Sequence, residues 1–395
     1  MKFASALTTK KDSLDAIQDL VNQIRSEIGP EKTDIALLFV HPEFLPQIDQ
    51  IYGPLRAAIG ARHWLGCSGA GIIGVSREVE REPAVSLLVA QLPDVEIAPF
   101  SITQHELEES SGPGFWHFQL EVTADENPNI LLFADPFSIQ SMQLVQALGE
   151  AYPSAPVAGG LASGGQQPGD CRLFLDDQTL EEGAAGVALT GKIALRTIVS
   201  QGCRPIGQPL TITRAEKNII MELAGRPPLE VLQELLPKLP ESDQQLARKA
   251  LFLGRVVNEY QEEFGRGDFL IRNLIGHDPQ SGALAVGDFL RTGQTVQFQV
   301  RDGQSAAEDL AALLTREAKR KRPRPHGAVL FSCMGRGEGM YGAPNHDINA
   351  LHKNFGPLAT AGFFCNGEIG PIGEKPFVHG FTSVIGLFTE PEPER

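Results

Sequence analysis

The side chains with the most chemistry to offer lie near one end of the chain. The run Gly362-Phe363-Phe364-Cys365-Asn366-Gly367-Glu368-Ile369-Gly370-Pro371 puts one thiol and one carboxylate into a glycine-dense turn directly after an apolar stretch. Glycine supplies the φ > 0 conformations and close backbone approach that a ligand-facing loop needs. A second glycine-rich segment, Met334-Gly335-Arg336-Gly337-Glu338-Gly339, leaves the apolar run 328–333 and leads to a helical pattern over 347–355, with Asn345 or Asp347 as its N-cap. Such a loop offers backbone N–H groups, and Arg336 adds a planar fork suited to a carboxylate. The two loops are expected to face each other across a pocket with a cationic wall (Arg336) and an anionic wall (Glu368). That pairing of walls matches a zwitterion such as an amino acid. The competing expectation is a direct Arg336–Glu368 ion pair that only clamps the two loops. The candidate ligand-binding residues are therefore Arg336, Gly337, Cys365, Asn366, Gly367 and Glu368, with His379 just before the closing strand.

Other chemistries find less support. Cys365 or Cys333 with His379 is a conceivable thiol–base pair, but nothing in the spacing supplies an orienting third group. A half-buried cysteine packing as a small hydrophobe is the simpler expectation, so no residue is assigned as catalytic. His346 and His352 are not spaced to share a helix face, and no metal site is assigned. The counterpart loops, 66–74 with Cys67 and Ser68 and 158–165 with Ser163, form neither a nucleophile elbow nor a phosphate-binding loop. No cofactor is indicated. Arg204, in Gly202–Gly207, is placed in a rigid connector where it is free to pair.

These loops need elements to position them, and the apolar runs supply a repeated set. Residues 34–40, 129–135 and 328–333 are each followed by a helical stretch, a glycine-rich loop and a hairpin, with strand-to-loop spacing of about thirty residues each time. A second unit, strand then helix, is read twice: 210–213 with 217–224, and 295–300 with 306–316. The pattern predicts an α/β fold of mixed sheets covered by helices, with strands buried on both faces. Near the N-terminus, Asp12-Ser13 precedes Leu14, Ile17, Leu20, Val21, Ile24 and Ile28, and Gly29-Pro30 closes the run. That is an amphipathic helix over 12–28 with start and stop signals. The proline-rich stretch 226–243 is the expected connector between domains 1–225 and 226–395. Residues 390–395 read as a frayed tail.

Composition bounds the function. The chain has 395 residues, 42% of them hydrophobic, which suits two soluble globular domains. A net charge of −15 disfavours a nucleic-acid partner. The basic residues Arg316, Lys319, Arg320, Lys321, Arg322 and Arg324 read as the positive end of a helix running over 306–319 into a linker, where they complement the helix dipole. The five cysteines are odd in number and widely spaced, indicating free thiols in a reducing compartment. No run is long enough to span a membrane. A cytoplasmic location is expected.

Five strings fall in order along the chain: GCRPIG (202–207), Gly225-Arg226-Pro227-Pro228, FLIRNLIGHD (269–278), SCMGRG (332–337) and GFFCNGEIGP (362–371). So arranged, the chain resembles FIST-domain proteins, with both the N-terminal and C-terminal FIST regions, over residues 34–388. The resemblance implies a sensory or signal-transduction role in bacteria, binding small ligands such as amino acids, with a signalling protein as partner. In eukaryotes related regions accompany an F-box. No F-box, kinase, cyclase or receptor segment is visible here. The expectation is a cytoplasmic small-ligand-sensing module; the alternatives are an interaction scaffold, with its acidic surface or basic segment docking a partner, and a cysteine-dependent enzyme.

Overall fold

The computed structural model describes residues 1–29, 32–261 and 263–392. Contacts group the chain into two compact units. Unit 1 holds Met1–Val199, Leu310–Val378 and the chain from Thr382 on; unit 2 holds Ser200–Asp309 and His379–Phe381. Unit 2 is thus a segment inserted into the chain of unit 1.

Unit 1 is built from three copies of one motif, as the repeated runs predict. The first comprises β1 (Lys2–Thr8), α1 (Ser13–Ile28), β2 (Ile35–Val40), α2 (Ile48–Ile59), β3 (His63–Ser68), the hairpin β4 (Ile72–Gly74) and β5 (Arg77–Val79), and β6 (Val85–Gln91). The second comprises β7 (Val95–Ile102), α3 (Gln104–Glu109), α4 (Pro113–Leu120), β8 (Asn129–Ala134), α5 (Ser141–Ala151), β9 (Val157–Leu161), the hairpin β10 (Leu173–Leu175) and β11 (Gln178–Leu180), and β12 (Ala184–Gly191). The third opens with β13 (Ala194–Gln201), after which the chain enters unit 2.

Unit 2 carries β14 (Cys203–Pro205), β15 (Leu210–Glu216), β16 (Ile219–Leu223), α6 (Pro228–Leu235), α7 (Glu241–Lys249), β17 (Leu251–Val256), β18 (Phe269–His277), β19 (Leu284–Val286) and β20 (Thr295–Arg301). The ladder β20-β15-β16-β19-β18-β17 returns to β20 and closes on itself. Residues 217–224, expected as a helix, are instead the return arm of a hairpin. Glu216 pairs with Ile219 across a turn in which Lys217 takes a left-handed φ of 53°. A β-branched pair, Ile219-Ile220, then fits the strand better than a helix. Arg204 does pair, joining Asp243 to Asp302.

The third copy resumes with α8 (Gly303–Ala318), β21 (Gly327–Cys333), α9 (Glu338–Tyr341), α10 (His346–Phe355), β22 (Ala359–Cys365), the hairpin β23 (Glu368–Ile372) and β24 (Lys375–His379), and β25 (Thr382–Thr389). The sheets run β1-β6-β2-β3-β10-β11, β7-β12-β8-β9-β23-β24 and β13-β25-β21-β22-β4-β5. Each therefore ends in a hairpin donated by another copy, which ties the three copies cyclically. The pairs β2/β3, β8/β9 and β21/β22 are parallel, and the flanking β6, β12 and β25 run antiparallel. Every residue of β2 and β8 is buried, as expected of strands with helices on one face and a second layer on the other.

The register repeats. Leu38 faces Gly66, Leu132 faces Gly159 and Leu330 faces Gly362. A Cβ on any of these glycines would run into the facing leucine carbonyl, so close strand approach accounts for glycine there. The next residue in each first strand is Phe39, Phe133 or Phe331, and these three rings meet edge-on, 5.4–6.2 Å apart, with Phe363 beside them. They anchor the central core.

At the chain start, Asp12 caps α1 by accepting from the N–H groups of Leu14 and Asp15, and Gly29 ends the helix. Pro30, expected to help close that run, and residues 393–395 of the expected tail lie outside the described residues. Among the expected basic residues, Arg320 and Arg322 fold back on buried Glu317, which also pairs with Arg196.

Candidate functional site

The glycine-dense stretch is mostly strand. β22 runs through Cys365 and β23 starts at Glu368, so Asn366-Gly367 alone links them. Gly362, Gly367 and Gly370 are not among the residues with positive φ. Glycine serves close packing here, where the sequence suggested turn geometry. The linker is pinned by backbone bonds, the Asn366 N–H donating to Leu161 and the Leu161 N–H to Gly367.

The parallel pair β21/β22 delivers Ser332, Cys333 and Cys365 to one end of its sheet, and the following segments add Arg336 and Glu368. Arg336 is 2% exposed. Its guanidinium grips Asp347 of α10 with two prongs, Nε to Oδ2 at 2.9 Å and Nη2 to Oδ1 at 3.2 Å. It also donates to the Tyr341 hydroxyl. Ser332 Oγ donates to Asp347 Oδ2 at 2.9 Å, and the His346 ring lies 3.0 Å from Oδ1. The Tyr341 and His346 rings stack 3.6 Å apart, both only partly buried. Burial acts to raise the Asp347 carboxyl, but Arg336 and three hydrogen bonds overcome it and hold Asp347 well below the usual carboxylate range. Arg336 is correspondingly held more firmly protonated.

Glu368 is fully buried. Its Oε2 accepts from the Thr382 hydroxyl at 2.7 Å and from the Thr382 N–H at 3.1 Å. Its Oε1 has no hydrogen-bond partner among the described residues. Burial pushes this carboxyl up to about 8, despite the Thr382 bonds and nearby Arg336. Burial thus favours the protonated form of Glu368, which lies within electrostatic reach of Arg336 but is not ion-paired to it. The guanidinium's ion-pair partner is Asp347, so the expected two-walled pocket has its cationic wall already filled.

A third element enters from the first copy. The Glu78 N–H donates to Asn345 Oδ1, and Glu78 Oε1 accepts from the Ile348 N–H, both at 2.7 Å. Glu78 thereby caps α10. Asn345, an expected N-cap, sits at φ 61° and makes no capping bond of its own. Glu80 likewise accepts from the Glu338 N–H at the start of α9. Gly337, with φ 70°, leaves the space beside that carboxylate empty of side chain. Burial and the neighbouring Asp347 raise the Glu78 carboxyl.

Of the remaining candidates, Cys365 is buried and burial pushes its thiol well up, so the reactive thiolate is disfavoured. Asn366 is exposed. His379 belongs to unit 2 and is buried there. The sequence reading missed Asp347 as a partner of Arg336, along with Ser332, Tyr341, Thr382 and Glu78. Glu78 carries no sequence signal, since only tertiary structure brings its hairpin to the third copy.

The repeat itself identifies what is unusual. One residue beyond the packed glycines, Cys67 faces Leu173, Phe363 faces Ile72 and Gly160 faces Glu368. The position filled by a buried aliphatic side chain in two sheets holds a carboxyl in the third. Ser332 likewise stands where the other copies have Val40 and Ala134. Asp347 precedes Gly356 by as many residues as the fully buried Ile51 precedes Gly60.

The profile of the FIST N domain matches residues 34–226, and that of the FIST C domain matches residues 228–371. An uncharacterised protein of Mycobacterium tuberculosis is 36% identical over 390 residues, covering 99% of this chain and 100% of its own. An F-box/LRR-repeat protein of Arabidopsis thaliana is 33% identical over 105 residues, 26% of this chain and 20% of its own. Among solved structures, a cyanuric acid hydrolase from A. caulinodans aligns over 97% of this chain and 99% of its own at 9% identity, with a TM-score of 0.34.

Proposed function

The chain belongs to the FIST family, a sensory and signal-transduction family, and we propose that it is a cytoplasmic module that senses a small amino-bearing, amino-acid-like metabolite through the buried cluster around Glu368 and passes the signal to a protein partner. The observation that carries this reading is the internal comparison. The same fold fills the Glu368 position with Ile72 and Leu173 elsewhere, so the architecture does not need a carboxyl there. A buried acid with an unpartnered oxygen disfavours folding, and such groups gather where function requires them. The reading departs from a symmetric zwitterion clamp in one respect: Arg336 is already held by Asp347, so recognition falls to Glu368. No helix among the described residues is long and apolar enough to cross a membrane.

Thermal unfolding in the presence of each common amino acid and of simple alkylamines tests the proposal. At least one compound is expected to raise Tm in proportion to the logarithm of its concentration above its Kd. Glu368→Leu, which copies the side chain of the second sheet, is expected to fold and to lose that response. A Glu368→Leu protein that responds undiminished, or a wild-type protein that no compound stabilises, overturns the reading.

A further inference from the structure

Two thiols stand side by side at the end of β21/β22. Cys333 and Cys365 are the last residues of their strands and are direct partners in the parallel register. Partners across a sheet present their side chains on the same face. That face carries Phe331 and Phe363, the partners two residues earlier, whose rings lie 5.7 Å apart. Strand spacing sets the Cα atoms of such a pair about 4.8 Å apart, within the roughly 4.4–6.8 Å that a disulfide spans. The motif does not require a thiol pair here. The corresponding partners beyond Phe39 and Cys67 are His41 and Gly69, and beyond Phe133 and Gly160 they are Asp135 and Ala162.

The two thiols differ in environment. Among the five cysteines Cys333 is the part-exposed one, and its sulfur accepts from the Gly335 N–H at 3.4 Å. A hydrogen bond to sulfur favours the thiolate, the form that attacks an oxidant. Cys365 is enclosed in the core beside it, without exposed surface.

We propose that Cys333 and Cys365 form a reversible disulfide in response to a hydroperoxide, with Cys333 as the attacking thiol and Cys365 as the resolving one. The Cys333 thiolate attacks a peroxide oxygen, the O–O bond breaks, and the departing hydroxide or alkoxide takes up a proton, leaving Cys333 as the sulfenic acid. The Cys365 sulfur then attacks Cys333 Sγ. The S–O bond breaks, the S–S bond forms, and hydroxide leaves as water with the Cys365 proton. Two thiols are oxidised, and the peroxide is reduced to two waters or to an alcohol and water. The bond joins side chains already adjacent, so the packed core needs no added volume. Arg336 follows Cys333 by three residues and Glu368 follows Cys365 by three. The cross-link therefore ties together the two chain exits that carry these charged residues. The inference does not depend on a ligand at Glu368.

Exposure of the purified full chain to hydrogen peroxide at pH 7, followed by alkylation under denaturing conditions and peptide mapping, tests the proposal. The oxidised chain is expected to be two hydrogens lighter and to have lost two of its five thiols. Both are expected in one cross-linked peptide pair, Cys333 with Cys365, that dithiothreitol separates. Cys333→Ser is expected to keep its remaining thiols under the same treatment. Cys365→Ala, which copies Ala162 of the second copy, is expected to stop at the Cys333 sulfenic acid, captured by dimedone. A wild-type chain whose thiols all survive, a cross-link between another pair, or oxidation of Cys333 to sulfinic acid without a cross-link would overturn the inference.

Discussion

Residue scale separates Arg336 from Glu368. Arg336 is saturated: a buried carboxylate, a hydroxyl and an aromatic ring surround it. A buried pair of this type gives little net stability but is costly to break from one side. Asp347→Ala is therefore expected to destabilise the chain by about 3–5 kcal/mol, read from urea unfolding. Arg336→Met combined with Asp347→Leu is expected to recover most of that loss, since no charge is then left stranded and position 347 resembles the buried Ile51 of the first copy. A double variant no better than the single would show that the pair itself, and not the stranded charge, supports the fold. Glu368 is the opposite case, a buried carboxyl without an ion-pair partner among the described residues, where the fold accommodates a hydrocarbon.

Element scale shows how this placement is enforced. The hairpin β4–β5 crosses to the third copy and caps α10 through Glu78 and α9 through Glu80. Glu78→Ala should weaken α10 by about 1 kcal/mol, the usual loss of an N-cap, whereas Glu78→Gln keeps an acceptor and should lose less; equal losses in urea unfolding would deny the capping role. The glycines of the parallel pairs are the second device. Gly66→Ala, Gly159→Ala and Gly362→Ala each put a Cβ into a backbone carbonyl. All three should destabilise by an amount at or above the usual overpacking loss of about 1–3 kcal/mol. A harmless substitution at any one of them would break the equivalence of the three copies. These glycines are visible in the sequence as three similar loops. Their role is not, because a turn glycine and a packing glycine look alike until the facing strand is known.

Whole-molecule behaviour follows from the same acids. In the unfolded chain Glu368 sheds its proton from its ordinary value of 4.5, but in the folded chain it holds it up to about 8. Between those values the folded state binds more protons, so this contribution to stability falls as pH rises and levels off above pH 8. Asp347 has the opposite sign: its carboxyl is depressed from 3.8, so its stabilisation is present above that value and is lost as the pH falls below it. Tm is thus expected to peak at weakly acidic pH and to decline by several degrees, roughly, toward pH 8. Melting curves of Glu368→Leu should show a shallower decline. An identical slope in the variant would mean that Glu368 does not hold its proton in the fold.

The sequence by itself determined the local elements and their repetition. Apolar runs, caps such as Asp12 and stops such as Gly29 are short-range signals, and they specify three strand–helix–strand copies and the family to which the chain belongs. It also pointed to Arg336 and Glu368, because a charged side chain among glycines and apolar residues stands out in one dimension. What it did not contain was partnership. The grip of Arg336 on Asp347, the Thr382 bonds to Glu368 and the capping of α10 by Glu78 join residues that chain order keeps apart, and strand register brings them together. Register also supplied the comparison of Glu368 with Ile72 and Leu173, since equivalence among the copies is fixed by which residues face each other across the sheets.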